Sequence, residues 1–400
     1  MVVMKLAFNL PHSNNYLKCL SGKIPLKLSL LINTILANMI TPQKLIVFCV
    51  FAFLLSCSTP VKETQDSDYF IRTFNLEDVP APDTLRGKKL NLTNLINPES
   101  ILWTGKYLVV GEGKTLDFFL YVVDPTRETL IKAFGKDGFG PGEITTAYQL
   151  EKGKSVNEIW VYDHNQKLIA LFDLESPDEL YQKAFRQPQN MYLATDIRWF
   201  SDEVLICRLA DGDDKYVLYD TLGNQLTTYG TWSQLIADPS LPPNVVKSIH
   251  QGRTSFNPAQ KKYVLGGRFR DFIEILDLSS GKIISTRGPE HNIPAFEVDY
   301  SAGYPMAQFT DRSLSSYYMD ILAGNEFIYA LYFGKSADWY YQKGELSKEI
   351  FVFDYAGKLV KTYTLDHSLV SIAVDEKSKR FFGISSDKDP NVVIFDYGDW

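Results

Sequence analysis

One short pattern recurs six times and limits what this chain can fold into: a β-forming run that ends in Asp and is followed by a turn. The copies are Leu120–Asp124, Ile169–Asp173, Tyr216–Asp220, Ile273–Asp277, Ile350–Asp354 and Val392–Asp396. Their Asp-to-Asp spacings are 49, 47, 57, 77 and 42 residues, with one long insertion ahead of the fifth copy. Such periods fit the four-stranded blades of a β-propeller. Gly223, Gly281 and Gly357 follow their Asp residues closely. Asp bonds the backbone two residues on and Gly supplies positive φ, so both suit hairpin turns.

Each copy has β runs on both sides. Tyr107–Val110, Glu158–Tyr162, Val204–Cys207, Tyr263–Leu265, Phe327–Tyr332 and Arg380–Ile384 precede the copies and read as strand B. The Asp-ended runs are then strand C, and Gln225–Tyr229, Lys282–Thr286 and Lys358–Tyr363 are examples of outer strand D. The sixth copy has no room for a strand D, because the chain ends at Trp400. Arg72–Glu77 matches Lys361–Asp366, the outer strand of blade five, in residue class at each position. The sequence therefore predicts an all-β, six-bladed propeller closed by an N-terminal strand, residues 70–76, beside Val392–Phe395. A seventh blade stays open if the insertion at 288–318 hides a degenerate copy.

Composition agrees with a β fold: 14% of residues are aromatic and 22% charged. The formal charge is −7, although residues 1–56 hold five Lys, no Arg and no acidic residue. The rest of the chain is thus more acidic than the whole, which argues against nucleic acid as a partner.

The N-terminal end reads as an address. Leu45–Leu55 is an apolar run behind Lys44, short for a membrane span and of the size of a signal-peptide core. It leads into Leu54-Leu-Ser-Cys57, which resembles a bacterial lipobox. By that resemblance Cys57 becomes the acylated N-terminus, and several acyl chains suffice to hold a protein on a membrane. Residues 1–38 read as an upstream extension, 39–56 as the signal, 57–68 as a tether and 69–400 as the propeller. Cys207 is then the one cysteine left without an assigned role. It reads as a small buried hydrophobe.

Phe134-Gly-Lys-Asp-Gly-Phe-Gly-Pro-Gly-Glu143 is Gly-rich and carries a Lys. No GK[ST] closes it and no helical pattern follows, so it is not a phosphate-binding loop. It is similar to the blade-to-blade crossover of NHL-type bacterial propellers. Taken with the repeats and the lipobox, the chain resembles TolB-like six-bladed propeller lipoproteins of Gram-negative envelopes. The resemblance spans residues 57–400 and implies a fold and an outer-membrane address. It implies no settled activity.

Catalytic and metal signatures are sparse. His164, His250, His291 and His367 form no HxxxH, HxH or HExxH pair, and Asp211-Gly-Asp-Asp214 lacks the order of a calcium loop. No nucleophile elbow is present, and no cofactor is expected. A binding or scaffolding module is therefore expected, with an extended glycan, a peptide or a protein as ligand. The alternative is a glycan lyase or hydrolase working in the propeller channel.

Blade topology places the B–C turns and D–A crossovers on one rim, opposite the Asp-led C–D turns. The B–C rim receives Glu112–Lys114, Asp163–Asn165, Asp211–Lys215, Gly267–Asp271, Gly334–Lys348 and Ser386–Asp389. Arg268 and Arg270 flank Phe269 on the turn of blade four, and Lys335, Trp339 and Tyr340 occupy the long loop of blade five. With both guanidinium groups facing out, these five residues are expected to form one groove.

Overall fold

The computed structural model describes residues 68–398, apart from 116, 236, 237, 239 and 302. The leader, Cys57 and most of the tether lie outside the described residues. Four blades are separate sheets. Blade one is Pro98–Trp103, Leu108–Glu112, Phe118–Asp124 and Thr129–Lys136. Blade two is Gln149–Lys152, Glu158–Asp163, Leu168–Asp173 and Lys183–Arg186. Blade three is Ala194–Trp199, Val204–Leu209, Asp214–Asp220 and Gln225–Thr231. Blade four is Gly252–Asn257, Lys262–Gly267, Phe272–Asp277 and Ile283–Arg287.

The last two blades share a strand. Leu359–Asp375 runs 17 residues, first as the outer strand of blade five beside Ser347–Phe353. It continues as the inner strand of blade six beside Arg380–Ser385, which pairs in turn with Val392–Asp396. Blade five begins with Ser315–Ala323 and Ile328–Ser336.

The six Asp-ended runs are the C strands, and burial explains why they were legible. Middle strands are covered on both faces by neighbouring blades, so they read as near-continuous apolar runs. Phe118–Asp124 is buried at all five interior positions, whereas the outer strand Gln225–Thr231 has no buried residue. The terminal Asp folds the C–D turn. Asp124 Oδ1 accepts from Thr126 N at 2.8 Å and Arg127 N at 3.0 Å. Asp220, Asp277 and Asp354 each accept from the amide two residues on at 2.9–3.0 Å.

The N-terminal run corrects one expectation. Strand β1, Tyr69–Thr73, does not lie beside Val392–Phe395. It pairs parallel with Ile283–Arg287, outside blade four. Strand β2, Asp83–Leu85, pairs parallel with the outer strand of blade five. Strand β3, Gly87–Lys89, pairs antiparallel with Val393–Phe395 and takes the outer place in blade six. The N-terminal run thus crosses the outer edges of blades four, five and six in turn. Residue class recognised an outer-strand segment in 70–76 but not the blade it joins. Gly87 suits its place, since a Cβ there would meet Phe395 and Val393 at 2.5 Å.

The insertion after blade four is no seventh blade. It holds a two-stranded hairpin, Glu297–Asp299 with Met306–Gln308. Helix α1, Pro243–Ile249, lies in the preceding crossover, where Val245, Val246 and Ile249 pack with Trp232 and Ala307 of the hairpin. The two crossovers therefore share a small apolar core on the B–C rim.

Candidate functional site

Carboxylates on the B–C rim mostly serve as latches. Glu112 accepts from Ile96 N at 3.0 Å, and Asp163 accepts from Thr145 N at 2.6 Å. Asp213 accepts from Ser233 N at 2.9 Å, and Asp271 accepts from Glu290 N at 3.4 Å. In blades one to four, then, an acid at or after strand B ties down a D–A crossover. Burial pushes the Asp271 carboxyl up to about 6 although Tyr318 donates to it. In each of the four acids, both carboxylate oxygens accept hydrogen bonds from the fold.

The expected groove is only partly assembled. Arg270 is buried, not outward-facing: its guanidinium contacts His250 Nε2 and donates to His291 O at 2.8 and 3.2 Å. Phe269 packs against Phe309 with ring centroids 4.2 Å apart and the planes tilted by 35°. The turn therefore clamps α1 and the insertion together, which overrides simple alternation at a tight turn. Arg268 is half-buried, with its N–H on Gln251 O at 2.7 Å and its carbonyl accepting from Tyr317 N at 2.9 Å.

The segment expected as a long loop of blade five is partly helical. It forms helix α2, Ala337–Lys343, capped by Ser336 Oγ on Trp339 N and closed at Gly344 with φ 69°. None of its residues is buried. Trp339 lies between Lys335 and Lys343, whose Nζ atoms are 5.7 and 5.8 Å from its ring. Arg312 lies 5.4 Å from the ring of Tyr341, which is 70% exposed. Lys335, Trp339 and Tyr340 are all exposed, so cations and aromatic faces stand together on a rim helix. Hydrophobic burial does not explain that arrangement.

The inner strands carry a second group of residues that sequence reasoning missed. Neighbouring inner strands are stitched by polar side chains. Gln149 Nε2 donates to Ile197 O at 2.9 Å, Arg198 donates to Thr254 O, and Ser371 Oγ donates to Asp320 Oδ2 at 2.7 Å. Glu151 sits among them half-buried, and burial pushes its carboxyl up to about 7 against the opposing pull of Arg198. Near the rim, Tyr148, Asp196, Arg208, Lys247 and Arg253 come together. Arg208 Nη1 is 3.6 Å from Asp196 Oδ2, and the Arg253 guanidinium lies 5.9 Å from the Tyr148 ring. Alternation could have flagged Arg198 or Arg253 as inner-strand polar residues. Nothing in one sequence joins them across blades.

A shallow cavity of about 320 Å³ lies elsewhere, at the seam of blades six and one on the C–D side. Its Lys88–Glu128 pair is exposed, and half-buried Arg380 faces Asp396 at 4.0 Å, so its charges already have counterparts. Among the described residues no group of three or more His, Cys, Asp or Glu could hold a metal.

This geometry agrees with the comparisons to known proteins. Residues 84–377 match the family described as TolB-like 6-blade propeller-like. The chain belongs to the TolB-like six-bladed propeller family. A crystal structure of a DUF4221 family member from Bacteroides vulgatus is similar, with TM-score 0.52 and 10% identity, over 79% of this chain and 96% of that one. An exported-protein candidate from Bacteroides fragilis is similar with TM-score 0.51 and 12% identity, over 81% of this chain and 98% of that one. At those identities the likeness shows the fold alone. No curated protein matches the chain.

The TolB-like scaffold makes Glu151 testable by pH. Its proton is held more tightly in the folded state than in the unfolded chain, where the carboxyl titrates near 4.5. Stability should therefore fall as pH rises from about 4.5 to 7. Glu151→Gln mimics the protonated form, so it should flatten this slope. The wild type should lose about 1–2 kcal/mol relative to the variant between pH 4.5 and 8 in urea unfolding. Parallel pH profiles would refute the shift.

Proposed function

We propose that this TolB-like propeller is a lipid-anchored binding module of the cell envelope, held by Cys57 and engaging an extended ligand on its B–C rim. Helix α2 carries the reading: a rim helix with no buried residue presents Trp339 between two lysines. Aromatic faces suit sugar rings or apolar side chains, and flanking cations favour acidic ligands. The lipobox supports anchoring, and likeness to an exported-protein candidate supports an envelope address. Among the described residues no helix is long and apolar enough to cross a membrane.

One experiment on the full chain tests both halves. A fatty-acid probe should label the wild type and not Cys57→Ser. The labelled protein should retain a ligand from glycan and peptide arrays, and Trp339→Ala should weaken that ligand by about 1–3 kcal/mol with Tm unchanged. Equal labelling of both proteins would refute the anchor. An affinity indifferent to Trp339 would move the ligand off α2.

A second reading rests on Glu151, whose carboxyl is raised to about 7 beside Arg198 on an inner strand. That is the state a glycan lyase or hydrolase needs in a general acid. Turnover of an array glycan, abolished by Glu151→Gln, would establish it. Tight binding without turnover would dismiss it.

A further inference from the structure

The mouth of the inner strands, where blades two, three and four meet the B–C rim, gathers cations on an otherwise acidic chain. Asp196 has φ 51° and lies within the inner strand of blade three, where the pairing register shifts between Thr195 and Arg198. The other described non-glycine residues with positive φ are Glu128, Lys167, Lys261 and Lys379, all in the short connections between strands. Strain and bulges of this kind inside a strand re-aim side chains and collect at functional sites.

The bulge sets Asp196 against Arg208. Arg208 is 3% exposed, yet among the described residues its Nε and Nη1 have no hydrogen-bond partner. Asp196 is 3.6 Å away, beyond hydrogen-bonding distance. Arg198 is 7% exposed and its Nε likewise has no hydrogen-bond partner among the described residues. A buried guanidinium needs acceptors on all its N–H groups, and one carboxylate at that range does not satisfy two of them. Lys247, at the end of α1, donates to Leu209 O. Burial, and then Arg208, pushes its ammonium down to about 7 against the opposing pull of Asp196. The opening to solvent is formed by exposed Arg253 and by Tyr148, whose ring is also 5.1 Å from His164. Gln149, next to Tyr148, donates to Ile197 O at 2.9 Å, and Arg198 donates to Thr254 O, next to Arg253, so the inner strands of blades two, three and four are tied together at this mouth. These groups therefore share one small volume.

We propose that this mouth binds the carboxylate of an acidic sugar, its charge met by Arg208, Lys247 and Arg253 and its ring lying on Tyr148. Guanidinium forks match planar carboxylates, and an exposed phenol face matches a sugar ring better than a flexible acidic side chain. The proposal rests on the B–C rim being the ligand-engaging face, and it names the chemical class bound there.

Calorimetric titration of the full chain with tetragalacturonate, its neutral counterpart tetragalactose and a tetrapeptide ending in two glutamates tests it. The uronate should bind and the neutral sugar should not. Arg253→Ala and Tyr148→Ala, both at exposed positions, should each weaken binding about tenfold or more with Tm unchanged. Arg208→Lys keeps the charge but loses the fork, and should weaken the uronate while folding normally. Absent uronate binding, or equal binding of the neutral sugar, would overturn the proposal. Binding of the peptide alone would overturn the sugar assignment. Uronate binding that ignores Arg253 and Tyr148 but falls in Trp339→Ala would overturn this mouth and leave the rim reading standing.

Discussion

Lys215→Met should destabilise the propeller by about 3–5 kcal/mol, because it strands a carboxylate with no access to solvent. Lys215 and Glu274 are both fully buried between blades three and four and form an ion pair. Glu274 also accepts from the Tyr216 hydroxyl and from Tyr69 of β1, the latter at 3.2 Å. The Lys215 ammonium lies 5.1 Å from the Trp232 ring and 5.4 Å from that of Tyr69. Burial holds the ammonium below its usual range, so the pair persists through mutual compensation. The double variant Lys215→Met, Glu274→Leu removes both charges and should recover much of the loss. Urea unfolding of the two singles and the double gives the coupling energy. Additive losses would show that the pair does not act as a unit. The pair also fixes β1, so hydrogen exchange at 69–73 should rise in every Glu274 variant.

Deleting residues 83–90 should do more damage than deleting 69–74. The first deletion removes β2 and β3, bares the edge at Val392–Asp396 and strips Leu85 and Leu90 from their cores. An open edge beside a buried apolar strand invites aggregation, so soluble yield and cooperative unfolding should both collapse. The second deletion removes Tyr69 and Phe74, both buried, at a cost of about 3–5 kcal/mol, and leaves the blade-six pairing in place. Phe74 packs edge-on to Phe351 and Phe353, so blade five would loosen first. The reverse ranking of the two deletions would show that β1 rather than β3 secures the last blade.

What was legible in the sequence follows from which interactions are local. The Asp-led turns close within two to four residues, and the C strands are apolar on both faces, so six repeats stand out. Trp339 and Tyr340 were placed in a long B–C loop, and the structure shows them exposed on helix α2, whose short span of seven residues gave no helical period to read. Placement of 70–76 was not, since outer strands carry similar residues in every blade and pairing is set by backbone. Arg270 was misjudged because its partners, His250 and His291, come from crossovers 20 and 21 residues away. The Asp196 mouth was invisible for the same reason: a bulge and a convergence of three blades leave no spacing to read.

The central claim is that the rim built from B–C turns and D–A crossovers is the ligand-engaging face. Hydrogen exchange of the full chain, with and without the tightest array ligand, tests it most directly. The account predicts slowed exchange at 337–343 in α2 and at the rim ends of the inner strands near Tyr148 and Arg253. Slowed exchange confined to the opposite turns at 124–129, 220–225 and 277–282 would contradict it.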